Sequence, residues 1–165
     1  MAEPKNSENF RAPKNRSSLV LQKTAGLIIY YKDDEGIKFL LLKYPSYWGF
    51  VKGLIEKDEN IKDAAKRELE EETGIKNFEI IPGFEHKQEW FFRLEGKTIK
   101  KEAIFFLAKT TKEEAEKVKI SWEHEDFAWL LLKEAVDKTR VKPNKELLKK
   151  AYNFILEHDK QKRII

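Results

Sequence analysis

The sequence contains no cysteine, a single methionine and only three histidines. Without cysteine there is no disulfide, no thiolate nucleophile and no cysteine-ligated zinc. His86, His124 and His158 are too scattered along the chain to suggest a zinc cluster. No apolar run approaches the ~18–20 residues that a helix needs to span a bilayer. The N-terminal stretch MAEPKNSENFRAPKNRSS is polar and lacks the apolar segment of a secretory signal. These absences predict a soluble, cytoplasmic protein that does not engage membranes.

What is present fits one folded domain. The chain has 165 residues, 41% of them hydrophobic, with eleven phenylalanines. Domains of about 100–150 residues readily bury a core. The net charge is +4, but Lys52 to Ile75 carries eight acidic against five basic residues, so that stretch is −3 and the remainder +7. An acidic island in a basic protein suits a place where cations and a polyanionic ligand meet. A solvated charged surface accounts for the same numbers equally well.

Residues 1–18 read as a flexible tail, with Pro4, Pro13 and several Asn and Ser. Lys14 and Arg16 would let it touch RNA, although an inert tail is the simpler reading. One domain is expected over 19–165. Ala25 to Tyr31 reads as a buried strand, Asp33 to Gly36 as a turn and Ile37 to Lys43 as a second strand. Tyr44 to Gly49 is an aromatic loop that leads to a short extended piece ending at Lys52-Gly53. Asp58 or Asn60 caps a helix that runs to Thr73 and is closed by Gly74. Strand-like runs follow at Phe78–Pro82, Glu85–Leu94 and Thr98–Thr110, with a hairpin turn at Glu95-Gly96. A short helix is expected from Lys112 to Lys117, a strand from Phe127 to Leu131 and an amphipathic helix from Pro143 to His158. Strands interleaved with two or three helices predict an α+β fold, a mixed sheet with helices on both sides.

The helix ending at Thr73 has an unusual wheel. At ~100° per residue, Ile61, Ala64 and Ala65 share one face, while Lys62, Asp63, Lys66 and Glu70 lie opposite. Toward the C-terminus the arc of the first face is taken up by Glu68, Glu71 and Glu72. Carboxylates at i, i+3 and i+4 repel one another, and near a helix C-terminus they also oppose the macrodipole. A hard divalent cation with oxygen ligands removes both penalties. Lys66 and Arg67 on an ordinary charged surface helix would offset part of the repulsion without metal.

The flanking spacing bears on that choice. From Gly53, five residues lead to Glu59 and seven more to Arg67; then come Glu68, Leu69, Glu71, Glu72, Gly74 and Ile75. This pattern resembles the signature of the Nudix hydrolases at every fixed position. The resemblance implies a Nudix-type α/β/α sandwich that hydrolyses a nucleoside diphosphate linked to another moiety. By similarity, Glu68, Glu71 and Glu72 would hold Mg2+, or Mn2+ in its place, with Glu59 assisting and the Lys52 carbonyl as a further ligand. Arg67 would orient the glutamates, and Gly53 and Gly74 would serve the loop–helix–loop backbone. Glu68, Glu123 and Glu125 are the candidates for a general base.

A weaker resemblance concerns the substrate. Trp48-Gly-Phe-Val-Lys-Gly53 resembles the Trp-x-x-Pro-Lys-Gly stretch of asymmetric dinucleoside tetraphosphate hydrolases, with Val51 in place of proline. Ser121-Trp-Glu-His-Glu-Asp-Phe-Ala-Trp129 is similar to their Ser-x-Glu-His-x-x-Tyr-x-Trp stretch, with Phe127 at the tyrosine. The comparison implies Glu123 as an extra metal-site carboxylate and Phe127 as a ring that stacks on adenine. It also implies Lys52, Trp48, Lys43, Phe84 and Lys87 as substrate contacts, against core packing for Trp129 and Phe84 and solvated surface for the lysines. The implied reaction splits diadenosine tetraphosphate into ATP and AMP. Removal of pyrophosphate from RNA 5′ ends, general nucleotide pyrophosphate hydrolysis and a non-catalytic nucleotide sensor are the alternatives. Whether the chain is a monomer or a dimer stays open.

Overall fold

The computed structural model describes residues 19–164; the expected tail at 1–18 lies outside them. The chain folds as β1 Leu19–Asp33, β2 Gly36–Lys43, β3 Trp48–Gly49, β4 Val51–Leu54, α1 Ile61–Thr73, β5 Phe78–Leu94, β6 Lys97–Thr110, α2 Lys112–Glu116, β7 Phe127–Leu131, α3 Leu132–Thr139 and α4 Lys142–Ile164. The main sheet order is β3-β2-β1-β6-β5, with β4 also paired to β1 and β7 to β2. β1 runs parallel to β6 and every other pairing is antiparallel. This is the mixed sheet expected.

Helices cover both faces, which explains why Ala25–Tyr31 is continuously apolar rather than alternating. One face packs Ala25, Leu27, Ile29, Leu40 and Leu42 against Ala64, Ala65 and Leu69 of α1. The other packs Ile28, Tyr30, Phe39, Leu41 and Phe105 against Ala135 of α3 and Leu147, Leu148, Ala151 and Ile155 of α4. The sheet is so close to its neighbours at Gly26 that a Cβ there would lie 2.4 Å from the Val51 carbonyl and 2.7 Å from the Phe105 ring. Gly26→Ala is therefore expected to cost about 1–3 kcal/mol by overpacking, read as a lowered midpoint in denaturant unfolding.

α1 begins and ends as expected. The Asn60 side chain accepts a hydrogen bond from the Lys62 N–H, and Gly74 closes the helix at φ 77°. Three expectations change. The runs at Phe78–Pro82 and Glu85–Leu94 form one strand, β5, with a register shift between Ile80 and Glu85. Pro82 there has no N–H to give the ladder and Gly83 sits at φ 94°, which makes a bulge rather than a strand end. A further helix, α3, follows β7. The buried face of α1 is Ala64, Ala65, Leu69, Glu72 and Thr73, so of the three carboxylates Glu72 is buried and Glu71 is exposed. Packing on β1 and β4 turns the stripe toward Leu69 and Thr73 and leaves Glu71 outside it.

Candidate active site

The carboxylates of α1 belong to two interacting groups of side chains. The first is organised by Arg67. Its Nε donates to Glu59 at 2.8 Å, Nη1 to Glu68 at 2.9 Å and to Glu71 at 3.1 Å, and Nη2 to Glu59 and to the Leu54 carbonyl. One guanidinium thus joins the loop before α1 to two successive turns of the helix, using the fork geometry that lysine lacks. Its hydrogen bond holds Glu59 below the usual carboxylate range. Burial raises Glu68 instead; Arg67 opposes that shift, while Glu71 and Glu123 add to it. β4 brings Gly53 against Glu68 so closely that only a glycine fits between strand and helix: a Cβ would lie 1.9 Å from the carboxyl carbon.

The second group forms at the end of α1. The loop after α2 is tied to the helix by Lys119 N–H to the Thr73 carbonyl and Ser121 N–H to the Glu72 carbonyl, both 3.0 Å. A further turn, His124 N–H to the Ser121 carbonyl, presents Glu123 and His124 beside Glu72. Ligand atoms of Glu72, Glu123 and His124 all lie within 4.8 Å of one another. Glu72 Oε2 and His124 Nε2 are 3.5 Å apart, long for a hydrogen bond. Both atoms, with His124 Nδ1, are buried and otherwise without a hydrogen-bond partner among the described residues. Burial pushes the Glu72 carboxyl up to about 7, with His124 pulling the other way. Burial also disfavours charge on His124, but Glu72, the Lys43 backbone and Glu123 outweigh it and raise that pKa.

An unpartnered buried carboxylate oxygen is costly. Beside a second carboxylate and an imidazole it offers the donor set of a hard or borderline divalent cation. The residues present therefore fit a metal. His124 was not singled out from the sequence, where it is 52 positions from Glu72; its place next to Glu123 was the available signal.

The other expected site residues are distributed unevenly. Lys52 lies on β4 opposite Gly26, and its side chain leaves the strand on the opposite face from Gly53. Its Nζ sits 5.5 Å from the Tyr44 ring, 5.4 Å from Tyr47 and 5.2 Å from Trp90. Tyr44 and Tyr47 stack at 4.8 Å, and Tyr44 also meets the edge of His124. Lys43 pairs with Glu125 at 3.1 Å, and the Trp48 carbonyl accepts from Thr139 Oγ1 at 2.6 Å. Phe127 is half-buried against the α1-side core. Lys87 is engaged by Glu89 at 2.8 Å and Glu102 at 3.8 Å. Phe84 is buried in the α4-side core, edge-on to Phe154. Trp129 likewise packs, its Nε1 donating to the Ala115 carbonyl and its ring edge-on to Tyr31.

A family model described as the NUDIX domain matches residues 20–151. The chain belongs to the Nudix family. Among its Nudix relatives, the mouse bis(5′-nucleosyl)-tetraphosphatase [asymmetrical] is 32% identical over 81% of this chain and 95% of its own length. The dihydroneopterin triphosphate diphosphatase of Haemophilus influenzae is 32% identical over 83% of this chain and 87% of its own. A solved binary complex of the C. elegans Ap4A hydrolase superposes with a TM-score of 0.72 at 30% identity, covering 82% of this chain and 98% of that one. Nudix hydrolases act on pyrophosphate bonds with divalent metals, and α1 with its flanking loops is the Nudix motif of this chain. Among the described residues no helix is long and apolar enough to cross a membrane.

Proposed function

We propose that this Nudix enzyme hydrolyses dinucleoside polyphosphates, splitting diadenosine tetraphosphate into ATP and AMP, with Mg2+ as the metal and Mn2+ able to replace it. The observation that carries the metal-dependent reading is the buried Glu72 carboxylate at the end of the Nudix helix, whose Oε2 has no hydrogen bond among the described residues and which meets Glu123 and His124. Glu68, Glu71 and Glu72 would hold the cation, assisted by Glu59, Glu123 and the Lys52 carbonyl. When bound, the ion neutralises phosphate oxygens and acidifies water.

The chain's own groups do the rest. Arg67 holds Glu59, Glu68 and Glu71 in one arrangement and needs no contact with substrate. Glu68 is the first candidate to take a proton from attacking water. Glu123 is the alternative base; Glu125 is less suited, being exposed and paired with Lys43. Lys52, in its frame of Tyr44, Tyr47 and Trp90, supplies positive charge for the phosphate chain. Lys43, Lys87, Trp48 and Phe127 are the remaining proposed substrate contacts, acting on a cytoplasmic nucleotide pool.

The substrate follows from similarity to the mouse and C. elegans enzymes over most of the chain. The Haemophilus relative supports a second reading, a pterin-triphosphate diphosphatase. Initial rates with Mg2+ should be compared for diadenosine tetraphosphate, dihydroneopterin triphosphate, triphosphorylated RNA, ADP-ribose and oxidised dGTP. The dinucleotide is expected to rank first by kcat/KM. The pterin triphosphate ranking first would replace this reading with the second, and RNA ranking first would replace it with 5′-end processing. Inactivity on the whole panel would leave a nucleotide sensor.

A further inference from the structure

A cavity of about 590 Å3 opens between the aromatic loop and the last turns of α3. Ligand pockets for small molecules run from about 300 to 1,000 Å3. Tyr47 and Trp48 line it from the loop, Asp137, Lys138 and Arg140 from α3, and Lys43 from the end of β2. Lys138 Nζ lies 4.6 Å from the Trp48 ring centroid. Tyr44, also in the wall, stacks on Tyr47 on one side and meets His124 on the other, each at 4.8 Å between ring centroids. The cavity is thus one ring away from the group formed by Glu72, Glu123 and His124.

Arg140 is the informative residue. It closes α3 in the left-handed conformation, at φ 59° and ψ −9°. Glycine is the usual choice there because an L-residue is strained in that region. The chain keeps an arginine, exposed and with no ion pair among the described residues. A cation at a helix C-terminus suits the macrodipole, but Lys138 in the same turn already serves that purpose. The strain retains a guanidinium at the cavity, where its fork of donors matches phosphate oxygens. Aromatic rings, two carboxylates (Glu134 and Asp137) and three cations around one cavity are complementary to a base, ribose hydroxyls and phosphate.

We propose that this cavity seats the nucleoside end of the substrate remote from the Nudix carboxylates. Tyr47 and Trp48 provide the wall for the base, Asp137 accepts from ribose hydroxyls, and Arg140, Lys138 and Lys43 hold the nearest phosphates. The inference rests on the dinucleoside reading and explains how the enzyme would favour two nucleosides over one.

The test compares diadenosine tetraphosphate with adenosine tetraphosphate, the same phosphate chain bearing one nucleoside. Arg140→Gly is expected to raise KM for the dinucleotide about fivefold, the size of one lost charge-assisted contact. It should move KM for the single-nucleoside substrate much less, and the variant should melt no lower than the wild type because glycine relieves the left-handed turn. Lys138→Ala should act in the same direction. Equal changes on both substrates, or an unchanged dinucleotide KM, would overturn the assignment. If the wild type turns over neither substrate, the dinucleoside reading fails instead. Calorimetric binding of diadenosine tetraphosphate then decides the cavity, and an identical Kd for wild type and Arg140→Gly would sink it.

Discussion

Glu72→Gln is expected to lower turnover by at least ~100-fold, because a metal ligand contributes several kcal/mol at the transition state, while metal-free protein loses no stability at neutral to alkaline pH. The two halves have one cause. The Glu72 carboxyl is buried, its Oε2 lacks a hydrogen bond among the described residues, and burial pushes its pKa up to about 7 from an ordinary 4.5. A carboxyl raised in this way stabilises the fold only while it holds its proton. That contribution is complete below the unfolded value of 4.5 and is lost as pH rises through about 7. Glutamine keeps the shape without the charge and escapes the loss. In chelator, the wild-type melting temperature should therefore fall relative to the variant between roughly pH 5 and 8. Excess Mg2+ should restore the wild type and leave the variant unmoved. Near-normal turnover in Glu72→Gln, or equal stabilisation of both proteins by Mg2+, would remove Glu72 from the metal site.

The parts of this site that were legible in the sequence are the local ones. Asn60 and Gly74 announced both ends of α1, and Phe127–Leu131 was read as the strand it is. α3 was missed because it carries no capping signal, only Glu134 in its first turn and Lys138 in its last. Its first flanking residue, Leu131, makes no side-chain cap, and its last turn closes on Arg140 where a glycine would have marked the stop. The wheel of α1 placed Glu68, Glu71 and Glu72 on one arc, but which of them is buried depends on Leu69 and Thr73 packing against β1 and β4. The approach of His124 to Glu72 depends on backbone bonds from a distant loop to the last turn of α1, which no local pattern encodes. Chemistry written within one helix could be read from the residues themselves; of the chemistry assembled across elements, only Glu123 was reached, and that through resemblance, while its contact with Glu72 and His124 was not.

Gly53→Ala should nearly abolish activity with little loss of stability, the reverse of the outcome expected at Gly26. The two glycines occupy neighbouring rungs of the β1–β4 ladder, Gly26 opposite Lys52 and Gly53 opposite Ala25. What a new methyl meets decides the difference. At Gly26 it meets a backbone carbonyl and a core ring, neither of which can yield without moving the sheet. At Gly53 it meets the far end of one flexible side chain, 1.9 Å from Glu68 Cδ and 2.1 and 2.3 Å from its oxygens. The Glu68 carboxylate must swing away, breaking its 2.9 Å bond to Arg67. Rotating one side chain costs the fold on the order of 1 kcal/mol, whereas a displaced carboxylate at the reacting centre costs about 100-fold in rate. Turnover and denaturant unfolding, measured side by side on Gly53→Ala and Gly26→Ala, give the check. Full activity in Gly53→Ala would show that Glu68 works from another position, and an unfolded Gly53→Ala would show that Glu68 cannot move at all.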